Sequence, residues 1–591
     1  MESAQPIQSL PRPASFLRPG VAELLACGAS ALVYVATLSF GFVYDDVPQI
    51  LKNPAIQSWK FVPQYFTSHV WAAIYPSSAG NYYRPLFLLW LRLNYALFGT
   101  DAVGWHMTCI ACHVLATWLV FRIAQKLTAD RLTAFLAALI FGVHPAHIEN
   151  VAWISGITDP LMTCFVLGSV WAFVSFDESR KTGQLALSLT MFAFALLAKE
   201  TAIILPALIF AVAMLVRGCG NGDESLLRRL VLAIRACAPY LLLTAIYVLV
   251  RLGALGKWSR PTIPIGWTEV LLTWPAVLWF YMRHLILPTG LSEFYSLDYV
   301  TKATAGAVLL PLVLVSVVLL VLFFLIRWLS QKNIALFVVV LIVAPLLPVL
   351  DLRSLTAGDI VHDRYLYLSS VGFAILVACA IRELNRLVPA DRRHLMPIAI
   401  TVVVGACFAT LTVVQEMQWA NDVALYTRGL ESAPANLTVR DNLANALLAA
   451  NQPARAIPLY LDVLQRNPRF WRSNYNLGFA YYKMANYSGA EDYLQRAIRI
   501  DPSDADQYIY LALVQLQLKK LSEAAENAER AIARNPQARG YHSVLALISE
   551  AAGNRARAKA EYKTEIAEHP ENAAAAAELQ KLEGTQIPSQ P

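Results

Sequence analysis

Long apolar runs recur through the first two thirds of this 591-residue chain, and most approach the length that crosses a bilayer. In hydrocarbon every backbone N–H and C=O must be satisfied within the chain, which confines spanning segments to helices or closed barrels. Runs of this length select helices. Candidate spans are 21–41, 104–124, 132–147, 159–176, 184–198, 201–216, 230–250, 305–327, 334–350, 366–382 and 396–415, eleven in all. Two further runs, 85–98 and 269–287, are interrupted by Arg92 and by Arg283-His284, and are expected to lie in the interface or to re-enter. With only 15% charged residues, against roughly 25% in soluble domains, a wholly soluble protein is excluded.

Charge orients these spans. The net charge of +7 is concentrated in short loops, so it reads as topology rather than nucleic-acid affinity. The clusters are Arg122, Lys126 and Arg131; Arg180 and Lys181; Arg217, Arg228 and Arg229; Arg327 and Lys332; and Arg382, Arg386, Arg392 and Arg393. With eleven spans and a cytoplasmic N-terminus, all five clusters fall on the cytoplasmic side. Residues 1–20, carrying Arg12 and Arg18, are then a cytoplasmic tail, and the first run an uncleaved signal anchor. The outer side receives 42–103, 148–158, the turn at Lys199-Glu200, 251–304, 351–365 and everything after about 416.

Beyond the last run the composition turns polar and Ala-rich, and a period appears. Pro434, Pro468, Pro502, Pro536 and Pro570 stand at equal intervals of 34 residues, as do Leu443, Leu477, Leu511 and Leu545, and Ala456, Ala490, Ala524 and Ala558. That is the tetratricopeptide period of a helix–turn–helix unit, with small residues for close helix approach and Pro after the second helix. The expected organisation is a tail 1–20, a multi-span membrane domain 21–415, a linker or degenerate half-repeat 416–436, a repeat domain 437–583 of about four repeats plus a capping helix, and a tail 584–591. The fold class is all-α: a polytopic membrane domain of about eleven helices followed by an α-solenoid. Cys109 and Cys112 form a CxxC inside an apolar helix with no second cysteine pair nearby in sequence, which reads as core packing.

Unusual residues collect on the outer side. Directly after the first run comes Gly41-Phe42-Val43-Tyr44-Asp45-Asp46. Adjacent carboxylates at a span end can merely stop a helix, yet ionisable groups at membrane depth also mark function. A multi-span protein with acids in its first outer loop suits transfer of a sugar from a polyprenyl-phosphate carrier. The lipid tail needs a groove open to the bilayer, the leaving phosphate a cation, and the attacking hydroxyl a carboxylate base. One base suffices if the anomeric centre inverts. Asp45 and Asp46 can supply it, with a slight preference for Asp46; the other would bind the acceptor or orient its neighbour. Arg364 is the first candidate for the donor phosphate and Arg84 the second; a snorkelling interface anchor is the plain alternative for Arg364. Tyr44, Tyr83, His144, His147, Glu149, Asp159, Lys199, Glu200, His362, Asp363 and Tyr365 are candidates to line the cavity; ordinary helix termini would account for several of them. His144 and His147 with Glu149 mimic a metal site, but Pro145 between them argues against a regular ligand pair. No metal ligand is assigned and no cofactor is required; a divalent cation is compatible with these residues but not indicated by them.

Tyr44-Asp45-Asp46, Tyr83-Arg84-Pro85-Leu86, the stretch His144 to Ala152, Lys199-Glu200 and the stretch Arg364 to Phe373 resemble the transmembrane and tetratricopeptide-repeat protein O-mannosyltransferases. The order of parts matches as well. The resemblance implies a glycosyltransferase C-type fold, a polyprenyl-phosphate-linked mannose or other hexose as donor, and inverting transfer to Ser or Thr hydroxyls. Carried over, its acidic motif falls on Asp45 and Asp46 and its late Arg on Arg364. This chain departs from animal members in its short repeat array and in Gly156-Ile157-Thr158-Asp159, which lacks the Arg of their Gly-Arg-Ala-Asp motif. Its compact loops look bacterial, which implies an undecaprenyl phosphate carrier and a periplasmic outer side.

The expected function is therefore an integral-membrane glycosyltransferase whose repeats hold a protein acceptor. The alternative is a non-catalytic membrane scaffold whose repeats recruit envelope proteins, although eleven spans exceed what anchoring needs. An O-antigen-ligase-like oligosaccharide transferase would be expected to keep its key residues in a large late outer loop, and a transporter to show an inverted repeat of broken helices.

Overall fold

The computed structural model describes residues 20–75, 80–216, 225–256, 265–355, 358–387 and 395–584. The expected anchors Arg12, Arg18, Arg217, Arg392 and Arg393 and the tail 585–591 lie outside the described residues, as does the side chain of Arg386. The chain divides into two compact units, Met1–Ser432 and Ala433–Pro591, each built from α-helices.

Among the described residues of the first unit, seven helices are long and apolar enough to cross a membrane: Ala102–Thr128, Ile154–Ser179, Leu226–Leu255, Ala305–Trp328, Lys332–Leu350, Asp363–Leu384 and Met396–Trp419. An eighth forms if Arg131–Gly142 and Pro145–Val151, bent by 54°, count as one span. This is a multi-pass integral membrane protein. The bend falls at Pro145, whose ring cannot continue the preceding helix.

Three of the eleven expected spans are shorter helices, and the reasons are local. The run 21–41 is α-helical only over Val21–Leu32 and then tightens over Val35–Ser39. There the hydroxyls of Thr37 and Ser39 donate to the carbonyl oxygens of Tyr34 and Ala36, at 2.7 Å each, and compete with the helical ladder. The runs 184–198 and 201–216 become Thr182–Ala198 and a segment Glu200–Val216 that changes pitch on both sides of Leu205–Ala211. Of the two interrupted runs, one is the 14-residue helix Pro85–Phe98, with Arg92 buried and donating to Ile56 O at 3.1 Å. The other is the helix Trp267–Ile286, with Pro275 inside it.

Burial sorts the helices. The apolar stretches of Ile154–Ser179 and Asp363–Leu384 are 72% buried, whereas that of Ala305–Trp328 is 11% buried and presents its side chains outward. The inner pair anchors the main core together with Ala102–Thr128 and Arg131–Gly142. Gly372 lets the helix Leu366–Leu384 approach Lys332–Val343 closely: a Cβ there would stand 2.5 Å from Val338 O. Cys109 is buried in a packed cluster, and the Cys112 and Cys164 thiols hydrogen-bond at 3.8 Å without forming a disulfide.

The second unit is an α-solenoid of tetratricopeptide type. Helix pairs run Leu437–Ala449 with Pro453–Arg466, Trp471–Lys483 with Tyr487–Ile500, Ala505–Gln517 with Leu521–Arg534, and Tyr541–Ala551 with Arg555–Glu568; Ala573–Glu583 follows. Ala456, Ala490, Ala524 and Ala558 are fully buried where the paired helices meet. The turn inside each pair passes through the left-handed region at Asn451, Ala485, Lys519 and Gly553, again 34 residues apart.

Candidate functional site

The candidate site belongs to the first unit. A polar cavity of about 260 Å³ is lined by Asp45, Arg84, Lys199, Glu200, Arg364 and Tyr365 together with Asn81, Trp153, Ser155 and Arg251 among others. Segments far apart in sequence supply them: the turn after the first run, the approach to Pro85, the Lys199-Glu200 break, the end of Leu226–Leu255, and the start of Leu366–Leu384.

The two adjacent carboxylates part company. Asp46 is fully buried and accepts from Ser155 N at 2.9 Å, Ser155 Oγ at 2.6 Å and Val43 N at 3.3 Å. Burial pushes its carboxyl up to about 7 even though these donors favour the charged form. Asp45 lines the cavity, and among the described residues no donor hydrogen-bonds its carboxylate. Loss of solvent raises it to about 6, against the opposing pull of the Arg364 guanidinium. The divergence begins at Tyr44, whose φ of 54° turns the backbone through the left-handed region. Tyr44 N donates to Asp422 Oδ1 at 2.9 Å, and its ring packs near Trp153, Phe294 and Tyr426. That over-determines a conformation a Tyr rarely adopts.

The cations are each paired. Arg84 grips Glu200 through two parallel bonds, Nε to Oε2 at 2.9 Å and Nη2 to Oε1 at 2.5 Å. Lys199 Nζ reaches both oxygens of Asp159, at 2.7 and 2.6 Å. Arg364 Nη1 donates to Glu149 Oε1 and to Glu293 at 3.0 and 3.1 Å, while its backbone N–H donates to Glu149 Oε2 at 3.0 Å. Arg251 Nη2 donates to Asn81 O at 2.9 Å.

Several expected cavity residues stand elsewhere. Tyr83 is buried, its hydroxyl donating to Phe66 O at 3.1 Å. His144 Nε2 pairs with Leu285 O at 3.0 Å and His147 Nε2 with Ser370 Oγ at 2.7 Å, so both rings belong to the interior packing around Phe141 and Tyr367. Glu149 points to Arg364 rather than to the two histidines. Asp363 is held by His284 Nδ1 at 2.8 Å and by the Tyr295 hydroxyl. His362 lies beside Glu293 and Asp359. Glu149, Glu293 and His362 together form a triad able to hold a divalent cation, with ligand atoms within 4.8 Å of one another.

Glu293, Asp359 and Arg251 carry weight that the sequence reading did not assign. Each flanks an apolar run inside a loop placed on the outer side. That placement was the available signal; motif spacing added none.

The profile of the family described as "Dolichyl-phosphate-mannose-protein mannosyltransferase" matches residues 83–243, a stretch that includes Arg84, Asp159, Lys199 and Glu200 but neither Asp45 nor Arg364. A tetratricopeptide-repeat profile matches residues 442–505. The chain is similar to the protein O-mannosyl-transferase Tmtc1 of Drosophila melanogaster, 36% identical over 189 residues that make up 31% of this chain and 22% of that protein. It is also similar to the protein O-mannosyl-transferase TMTC3 of Homo sapiens, 25% identical over 566 residues, 87% of this chain and 60% of that protein. The chain thus spans less than two thirds of these relatives' length. Both are animal proteins and do not bear on the bacterial source expected from the loops. Among solved structures, the MamA protein is 24% identical over 26% of this chain and 83% of its own, with a TM-score of 0.24.

Proposed function

We propose that this chain is an integral-membrane glycosyltransferase that moves a hexose, mannose first, from a polyprenyl-phosphate donor to a hydroxyl of a protein acceptor. The observation that carries the reading is Asp45: a carboxylate with no hydrogen-bond donor among the described residues, facing a cavity whose walls bring Arg84, Lys199, Arg251 and Arg364 together. The similarity to protein O-mannosyl-transferases supports the donor and the acceptor class.

In this reading the acceptor oxygen attacks the anomeric carbon while the bond from that carbon to the phosphate oxygen breaks. The hydroxyl proton passes to Asp45, and the phosphate leaves with the bonding electrons. The configuration inverts, with no covalent intermediate. The earlier preference for Asp46 gives way to Asp45, because Asp46 spends its lone pairs on Ser155 and Val43 and holds the turn that aims its neighbour. Arg364 and then Arg84 remain the candidates for the donor phosphate, joined by Arg251. Carboxylates hold the Arg364 and Arg84 guanidinium groups in place for an arriving anion, and the Asn81 carbonyl holds that of Arg251. The N-terminus is cytoplasmic, the cavity opens to the periplasmic or lumenal side, and the repeats hold the acceptor there.

The test is transfer of radiolabelled sugar from membrane polyprenyl-phosphate sugars to envelope or lumenal protein, comparing wild type with Asp45→Asn at matched expression. Loss of labelling in the variant is expected. Equal labelling in both, or none with mannose, glucose and galactose donors all supplied, refutes the reading.

A further inference from the structure

We propose that Glu149, Glu293 and His362 bind a divalent first-row ion, Mn2+ or Zn2+, behind Arg364, which lines the cavity and contacts both glutamates. Three observations meet there. The ligand atoms of the three side chains lie within 4.8 Å of one another, and all three residues are buried. His362 is 2% exposed, yet its Nδ1 has no hydrogen-bond partner among the described residues; it faces Glu293 Oε1 at 3.7 Å. A buried ring nitrogen without a partner is costly, and a metal ion satisfies it. On the other side of the same ring, Nε2 stands 3.4 Å from Asp359 Oδ1. With the proton on Nε2, Asp359 orients the imidazole and leaves the Nδ1 lone pair directed at the glutamates, the arrangement of a carboxylate–histidine–metal relay.

Charge makes the same demand. Arg364 contacts Glu149 and Glu293, and it also feels Asp45 and Asp359. One guanidinium thus faces two buried carboxylates, with Asp45 half-buried and Asp359 exposed nearby, an excess of negative charge that a divalent ion offsets. Two carboxylates and one imidazole suit Mn2+ or Zn2+ better than Ca2+ or Mg2+, which prefer all-oxygen shells. Three protein ligands also leave coordination positions open. That the open positions face a leaving phosphate rests on the transferase reading; the binding of the ion does not.

The experiment uses the full chain in detergent, stripped with a chelator and titrated with Mn2+ while free ion is followed by electron paramagnetic resonance. One saturable ion per chain, displaced by Zn2+, is expected. Glu293→Gln and His362→Gln lower the affinity at least tenfold, and Asp359→Asn lowers it roughly 10- to 100-fold through His362. Thermal unfolding of the stripped variants shows that they remain folded. Absence of a saturable site in the wild type, or unchanged affinity in Glu293→Gln, overturns the proposal; the wild-type titration decides this without any variant. A chain that binds the ion but labels no protein sinks the transferase reading alone. A chain that labels protein but has no saturable site sinks this proposal alone.

Discussion

Asp45 and Asp46 are neighbours in sequence with opposite surroundings, and their substitutions separate accordingly. Asp45→Asn should reduce transfer by about 10²- to 10⁴-fold, the usual worth of a general base, with the unfolding temperature little changed. Its pH profile has a definite sign. The carboxyl is raised to about 6, and only the ionised form accepts a proton, so transfer by the wild type should be half-maximal near pH 6, constant above it and falling below it. A single-turnover profile with no loss down to pH 4 would remove Asp45 as the base. Asp46→Ala acts on folding instead: it strands the N–H groups of Ser155 and Val43 and should cost about 3 kcal/mol, read as a lower unfolding temperature in detergent. The Asp-Asp pair was legible in the sequence as a candidate. Its division of labour was not, because that depends on Tyr44 entering the left-handed region and on Ser155, more than a hundred residues away. Glu293 was likewise invisible, since a single acid in a long loop carries no pattern until Arg364 and Glu149 are brought to it.

At the scale of elements, the repeat turns give a test that is independent of chemistry. Ala485 occupies the left-handed position that Gly553 fills two turns later in the array, with φ of 56° and 78°. An L-residue there costs about 1 kcal/mol relative to glycine, so Ala485→Gly should raise the stability of the repeat unit by about that amount in urea unfolding. No gain would mean that the turn relaxes in solution. The repeats could be read from the sequence because their constraints are short-range: Pro after the second helix and Ala where the paired helices touch. The spans were legible in position but less so in continuity. Composition marks apolar length, but not the tightening over Val35–Ser39, where hydroxyls turn back on the chain, nor the bend at Pro145, which comes from one ring inside an apolar run.

At the scale of the molecule, the proposed function puts chemistry in the first unit and acceptor capture in the repeats. A chain ending at Ser432 keeps every residue of the cavity. It should still release sugar from the polyprenyl-phosphate donor to water or a small alcohol at a slow rate, while labelling of protein falls at least tenfold; equal protein labelling would remove the repeats from acceptor binding. The division into membrane and repeat parts was open to the sequence, because composition changes abruptly between them. The outward-facing helix Ala305–Trp328 has a consequence of its own. Its 24 residues extend about 36 Å, some 6 Å beyond a typical hydrocarbon core, so it must tilt or thicken the bilayer around it. It begins directly after the loop that carries Glu293, and Thr304 fixes that junction by accepting from Ala307 N. The acyl-chain length of the surrounding lipids therefore sets the lean of this helix, and the loop leading into it carries the glutamate that meets Arg364.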